Sequence, residues 1–387
     1  MRHTAIVGMI LAYLAACDSG DVPPPPEMIP DPAQVGLPLA EVPASDRSHW
    51  LGSGDWALEP VSSFAATMDD TVLVHTINTL RPGPDGLLYL GLQGQASLTV
   101  VTPEGRFIRR IGRRGSGPGE FEGHSDSGWR NDSLWVLDAR LGRLSWFDRE
   151  GEFLGSIQRD PRGAWPTSTG DYLHITSWNV LNTSTLIAYQ GSDASPPAGI
   201  KHLHWSRGGF SLRAGEQSYR MGVHPMADTP LISRHPLGEG LMVLELPASG
   251  STVRLTRIGP DGATEWEGVV DLPTQPLTAA EWEEFLRLQY EGSNIDPVAL
   301  AAAVPRSHHW VPATSAILAT DARLLVRGPT YNTDRVTWTM ISPEGRVLGA
   351  STLPADLRVM YVSGDTLWGV RPNEDDLDVV TRYRMRR

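Results

Sequence analysis

The residues GRRGSGPGEF, Gly112 to Phe121, offer the most chemistry at first sight, because two arginines sit in a glycine pattern that could cradle a phosphate. The context argues against it. A Walker loop needs Gly-Lys-Ser/Thr and then a helix, and no lysine stands here. A Rossmann turn opens a helix, whereas EFEGHSDSGWRNDSLWVLD, from Glu120, reads as a turn followed by a strand. Gly115-Ser116-Gly117 lacks the spacing of a nucleophile elbow, G-x-S-x-G, and its strand-to-helix setting. His202-x-His204 places two imidazoles on one side of a strand, and His308 and His309 are adjacent. Neither pair has a third and fourth ligand at a recognisable spacing. The acidic run Asn373 to Asp376 lacks the D-x-D-x-D-G order of a calcium loop. These patterns assign no metal, cofactor or catalytic residue.

The ends and the composition set the compartment. After Arg2 and His3, the apolar run AIVGMILAYLAA (Ala5 to Ala16) is too short to span a bilayer, which takes about 20 residues, and suits a signal-peptide core. It ends in Leu14-Ala15-Ala16-Cys17, which resembles the lipobox of bacterial lipoproteins. That resemblance implies a leader over residues 1–16, cleavage before Cys17 and a bilayer anchor through the acylated sulfur. Cys17 is the only cysteine of 387 residues, so no disulfide staples the fold and a core must hold it. Residues 17–49, rich in proline, read as an extended tether. The formal charge of −12 argues against nucleic-acid binding. The expected location is the cell envelope, facing the periplasm or the exterior, and the expected state is a monomer.

The elements that must position any site repeat along residues 50–387. LTVVTPEGRFIRRIG from Leu98, LSWFDREGEFLGSIQ from Leu144, VRLTRIGPDGATEWEG from Val253 and VTWTMISPEGRVLGAS from Val336 are each a strand, a tight turn and a strand. Gly105, Gly151, Gly262 and Gly345 supply the positive φ such a turn demands. Period-two alternation predicts one buried face per strand. A further short strand precedes each hairpin (from Leu87, Ser133, Leu241 and Arg323), and weaker copies start at Tyr172 and Thr366. The spacing of roughly 40–60 residues falls in or near the propeller range. The stretches Val100 to Phe121 and Ser133 to Ile157 resemble the NHL-like six-bladed β-propellers of bacterial lipoproteins. The resemblance implies an all-β fold of six four-stranded antiparallel blades. The last blade has only three strands of its own, so Asp55 to Phe64 is expected to supply its fourth and close the ring. The one departure is a helical insertion over 276–304. Thr278 and Glu281 form a capping box there, Trp282, Phe285, Leu286 and Tyr290 share one face, and a second helix starts at Asp296. The strand tryptophans Trp135, Trp146, Trp338 and Trp368 are read as packing between blades.

In such a blade the connector to the next blade shares a face with the loop between strands two and three. That face gathers Arg113, Arg114, Arg140, Arg143, Trp178, Asn179, Tyr331, Asn332, Arg371 and Asn373, a polar and aromatic set suited to a small ligand or peptide. The resemblance implies a binding module for a peptide, glycan or partner protein. Its alternative is a metal-dependent lactonase- or lyase-like propeller enzyme, with calcium or zinc held by side chains converging on the central channel.

Overall fold

A computed structural model describes residues 56–65, 67–68, 72–73, 76–158, 164–175, 184–191, 198–204, 209–214, 217–223, 228–247, 250–289, 306–330 and 333–386. The expected leader, Cys17 and the expected tether lie outside these residues. Six four-stranded antiparallel sheets are arranged as a propeller. Blade I comprises Ile77–Pro82, Leu88–Leu92, Leu98–Val101 and Phe107–Ile111. Blade II comprises His124–Arg130, Ser133–Asp138, Arg143–Phe147 and Phe153–Gln158. Blade III comprises Ala164–Pro166, Tyr172–Ile175, Ser184–Gln190 and Ala198–His204. Blade IV comprises Leu231–Arg234, Leu241–Glu245, Thr252–Ile258 and Thr264–Asp271. Blade V comprises Ser315–Leu318, Leu324–Arg327, Arg335–Ile341 and Val347–Pro354.

Blade VI has Arg358–Ser363, Thr366–Pro372 and Asp378–Arg386 from the C-terminal end, and its outermost strand is Ala57–Ala65. The two ends of the propeller pair from Ala57↔Arg386 to Ala65↔Val379. This is the closure read from the sequence, placed one to two residues further along. Glu59 and Arg386 form an ion pair across the seam.

One apolar cluster fills each gap between neighbouring blades, and alternation along the strands explains why. In blade I, Leu88 and Leu90 point to blade VI, where they meet Trp368, Val370 and Val380. Tyr89 points the other way, to Phe121, Trp129 and Leu134 of blade II and the chain leading into it. The expectation of one buried face therefore fails for the second strands. All five residues of Leu88–Leu92 are buried, since a blade inside a ring is covered on both sides. Outermost strands have a neighbour on one edge only and alternate, as in Phe153–Gln158. Trp135, Trp338 and Trp368 lie in these inter-blade clusters, and Trp146 packs against one of them.

The repeated turns are built alike. Each carries a register shift just before the turn, at Val100/Val101, Trp146/Phe147, Arg257/Ile258 and Met340/Ile341. Gly345 has φ +80°, and a Cβ there would lie 2.4 Å from Trp266 of the preceding blade. The glycine thus serves both the turn and the close stacking of blades. The structure also contains a hairpin of Gly209–Ala214 and Gln217–Val223 outside the six blades, which the repeat pattern does not reveal.

Helix α1, Ala279–Gln289, rises from the chain between blades IV and V. The capping box is made: Glu281 N–H donates to Thr278 Oγ1 at 3.2 Å, and Thr278 N–H donates to Glu281 Oε2 at 2.8 Å. Trp282 and Leu286 are buried, and Phe285 meets Trp310 edge-on at 5.4 Å. The second helix expected from Asp296, and Tyr290, lie outside the described residues. Among the described residues no helix is long and apolar enough to cross a membrane.

Candidate functional site

The glycine-rich stretch is the connector from the outer strand of blade I to the inner strand of blade II. Its polar groups are turned on one another. The Arg143 guanidinium, nearly buried, donates to the carbonyls of Ser116 at 2.9 Å, Gly117 at 3.1 Å and Glu120 at 2.5 Å. The Glu120 carboxylate accepts from the Gly117 N–H at 2.9 Å and from Arg113 Nε at 2.8 Å. These donors, the Gly117 N–H first, hold the Glu120 carboxyl below its ordinary pKa. Phe121 is fully buried beneath Gly112, where a Cβ would lie 2.2 Å from its ring. A phosphate cradle needs free N–H groups ahead of a helix. Here Glu120 takes an N–H, Arg143 takes the carbonyls, and a strand follows.

Asp138 completes this corner. Its buried carboxylate accepts from the backbone N–H groups of Glu122 at 2.7 Å and Gly123 at 3.2 Å, and from those of Arg140 at 2.9 Å and Leu141 at 3.0 Å. It ties the connector to the loop between strands two and three. Other contacts tie the same two kinds of segment: Arg114 donates to the Gly94 carbonyl at 3.3 Å, and Ala355 N–H to the Asp334 carbonyl at 2.7 Å. Connectors and these loops therefore share one face.

The sequence-derived set divides on that face. Arg143 is spent on the connector. Arg113 is exposed beside Glu120, Arg114 is exposed, and Arg140 lays its stem over Gly123. Arg371 pairs with Asp356 at 2.8 and 3.0 Å, and the Asn373 side chain accepts from the N–H groups of Asp375 and Leu377 at 3.0 and 2.8 Å. Trp178, Asn179, Tyr331 and Asn332 lie outside the described residues. A cleft of about 300 Å³ opens between the segment leaving blade IV and the loop after Arg327. Its walls include Pro273, Gln275, Pro312, Pro329, Thr333 and Arg335.

The axis holds a second polar cluster, absent from the sequence reading. Asp126, on the inner strand of blade II, faces Arg81 of blade I at 3.3 Å and pairs with Arg234 of blade IV. Arg81 also donates to the carbonyls of Ser127 at 2.9 Å, Leu80 at 2.9 Å and Met360 at 3.5 Å. Arg234 has the Trp135 and Trp165 rings 4.9 and 5.7 Å from its guanidinium carbon. Burial alone would raise the Asp126 pKa, but Arg234 and Arg81 overcome it and hold the carboxyl low. Burial takes Arg234 down to about 10, against the pull of Asp126 and helped by Arg81. Beside them His124 is depressed to about 4, first by burial and then by Arg81, against Asp126 and Asp138. Neither His124 ring nitrogen has a hydrogen-bond partner. The cluster joins residues 45 and 108 positions apart. The only local trace of it is a charge in each of three short inner strands.

No family model and no curated protein matches the chain. Solved structures similar to it include a candidate exported protein from Bacteroides fragilis. It is 13% identical with a TM-score of 0.48, over 87% of this chain and 98% of that one. A member of the DUF4221 family from Bacteroides vulgatus is 9% identical with a TM-score of 0.47, over 86% and 98%. Virginiamycin B lyase from Staphylococcus aureus is 7% identical with a TM-score of 0.43, over 85% and 99%.

Proposed function

We propose that this propeller is an extracytoplasmic binding module, tethered to the envelope through Cys17, that receives a short peptide segment or glycan on its connector face. The observation that carries the reading is the 300 Å³ cleft beside blade V. It is at the lower end of the usual size of ligand pockets. An amide at Gln275 and the Arg335 guanidinium, which gives one nitrogen to the Thr352 carbonyl, lie among Pro273, Pro312 and Pro329, so one wall can bond polar groups while another packs on apolar ones; the Thr333 hydroxyl closes its own turn on Arg335. The loop that borders it, after Gly328, contains Tyr331 and Asn332 of the sequence-derived set.

The metal-dependent enzyme reading requires donors converging on the axis. The described residues contain no group of three His, Cys, Asp or Glu able to hold an ion. Those around Asp126 set two guanidiniums against its one carboxylate, a field that repels a cation. That donor set does not fit calcium or zinc.

The test is a screen of peptide and glycan libraries against the mature protein, repeated with Thr333→Trp to fill the cleft. A ligand held by the wild type and lost from this variant is expected. Ligands that bind both proteins equally overturn the assignment of the cleft. Labelling with a palmitate analogue, lost in Cys17→Ala, tests the anchor separately.

A further inference from the structure

Blades VI and I turn a strip of arginines toward one another at the outer rim of the ring. Cross-strand partners share a face of a sheet, and this places the side chains of the outer strands. Phe107 stands opposite Val101, and Arg110 opposite Thr99. Val101 belongs to the apolar cluster between blades I and VI, so Phe107 and Arg110 face blade VI. From the other side, the Arg382 guanidinium carbon lies 5.9 Å from the centre of the Trp368 ring, a member of the same cluster. Alternation puts Arg384 and Arg386 on the same side of their strand as Arg382. The two blades meet here: a Cβ on Gly105 would lie 2.4 Å from Phe64 of the closing strand.

The strip is positive and partly apolar. Glu59 stands across from Arg384 and pairs with Arg386. Among the described residues Arg110, Arg382 and Arg384 enter no ion pair, in a chain whose formal charge is −12. Glu104 and Arg106, both exposed beside the blade I turn, offset one another. Phe107 is 39% exposed, and Ile108, the extra residue at the register shift, is 38% exposed. The chain leading from Cys17 joins the propeller at this same rim, because Ala57 pairs with Arg386.

We propose that this rim, through Phe107, Ile108, Arg110 and Arg384, rests on an anionic phospholipid bilayer. The inference rests on the reading that Cys17 anchors the chain, and it adds which edge of the ring meets the membrane. Lipid phosphates supply the charge the arginines lack, and the two apolar side chains enter the headgroup boundary. A soluble polyanion would use the arginines but leave Phe107 and Ile108 in water. Such a contact is weak by itself, and a covalent anchor raises its effective concentration. Docked by its rim, the ring keeps its connector face, with the cleft beside blade V, open to solutes.

The test is co-sedimentation of the mature protein carrying Cys17→Ala, and so no acyl group, with vesicles of phosphatidylcholine alone or mixed with phosphatidylglycerol, at low ionic strength. Binding to the mixed vesicles only is expected, weakening as salt is added. Each arginine near an anionic surface strengthens binding about fivefold, so Arg110→Gln combined with Arg384→Gln should weaken it about twentyfold. Phe107→Ser should weaken it as well, while Arg254→Gln, on blade IV across the ring, should not. Arg110, Arg384 and Arg254 are exposed, so these replacements leave the fold intact. Absent or equal binding to the two vesicles, or equal effects of the rim and blade IV variants, overturns the proposal. Self-association lost in Phe107→Ser, without vesicle binding, would make the rim a contact between copies of the chain and also overturn it. A failure of Cys17 acylation appears only in the palmitate labelling and leaves this result unchanged.

Discussion

Replacing His124 with leucine should remove about 2 kcal/mol of acid sensitivity between pH 7.5 and pH 5. Both ring nitrogens are buried and unpartnered, and the ring is wedged against Gly91, where a Cβ would lie 2.1 Å from its Cε1. Asp126 and Asp138 favour the charged ring, Arg81 opposes it, and burial outweighs them all, leaving the folded pKa at about 4 against 6.5 in an open chain. Above pH 6.5 the imidazole is neutral in both states and contributes nothing to pH dependence. Between pH 6.5 and pH 4 only the unfolded chain takes the proton, so stability falls as the solution is acidified. Each pH unit in that window is worth about 1.4 kcal/mol, roughly 3 kcal/mol over the whole of it and about 2 kcal/mol by pH 5. Leucine breaks no hydrogen bond and cannot titrate. The assay is urea unfolding followed by tryptophan fluorescence at both pH values, in wild type and His124→Leu. His235, also depressed by burial, titrates in both proteins and cancels in the difference. Equal losses of stability on acidification in the two proteins would refute the argument, whatever the variant's absolute stability.

Two more outcomes follow from the fold. Deleting residues 50–64 removes nearly all of the strand that pairs with Asp378–Arg386 and opens the ring, so calorimetry should show the single cooperative transition broken or lost; a wild-type melting curve would count against closure. Arg143→Met leaves the Ser116 and Glu120 carbonyls without a donor, Gly117 keeping that of the Glu120 N–H, and should cost about 2–4 kcal/mol in urea, while Arg114→Met on the exposed part of the same connector should stay within about 0.5 kcal/mol; similar losses in both would deny the clamp.

The repeat of strand, glycine turn and strand was legible along the chain because it is local. Two-residue alternation and a positive φ at Gly105 or Gly345 depend on neighbours within one hairpin. Blade number and the closing strand that ends near Phe64 followed from that pattern, and the capping box followed from Thr278 and Glu281 standing three residues apart. Even the shared face of connectors and second-to-third loops is a matter of strand direction alone. Which polar side chains on that face are free was not legible. Arg143 and Asn373 look like Arg113 in sequence, yet one is consumed by three carbonyls and the other by its own turn. That difference depends on where the Ser116–Glu120 carbonyls point, and local pattern carries no such information.

The amino-acid order by itself determined the unit and its repetition, since each blade is assembled from contacts a few residues apart. Only the closed ring decided the burial of both faces of Leu88–Leu92, because a sheet acquires its second cover from a neighbouring blade. Only the ring brought Arg81, Asp126 and Arg234 together from three different blades. A charge in an isolated strand looks like a solvated one. Radial convergence on an axis makes it a partner, and partial burial there gives the pairing its strength.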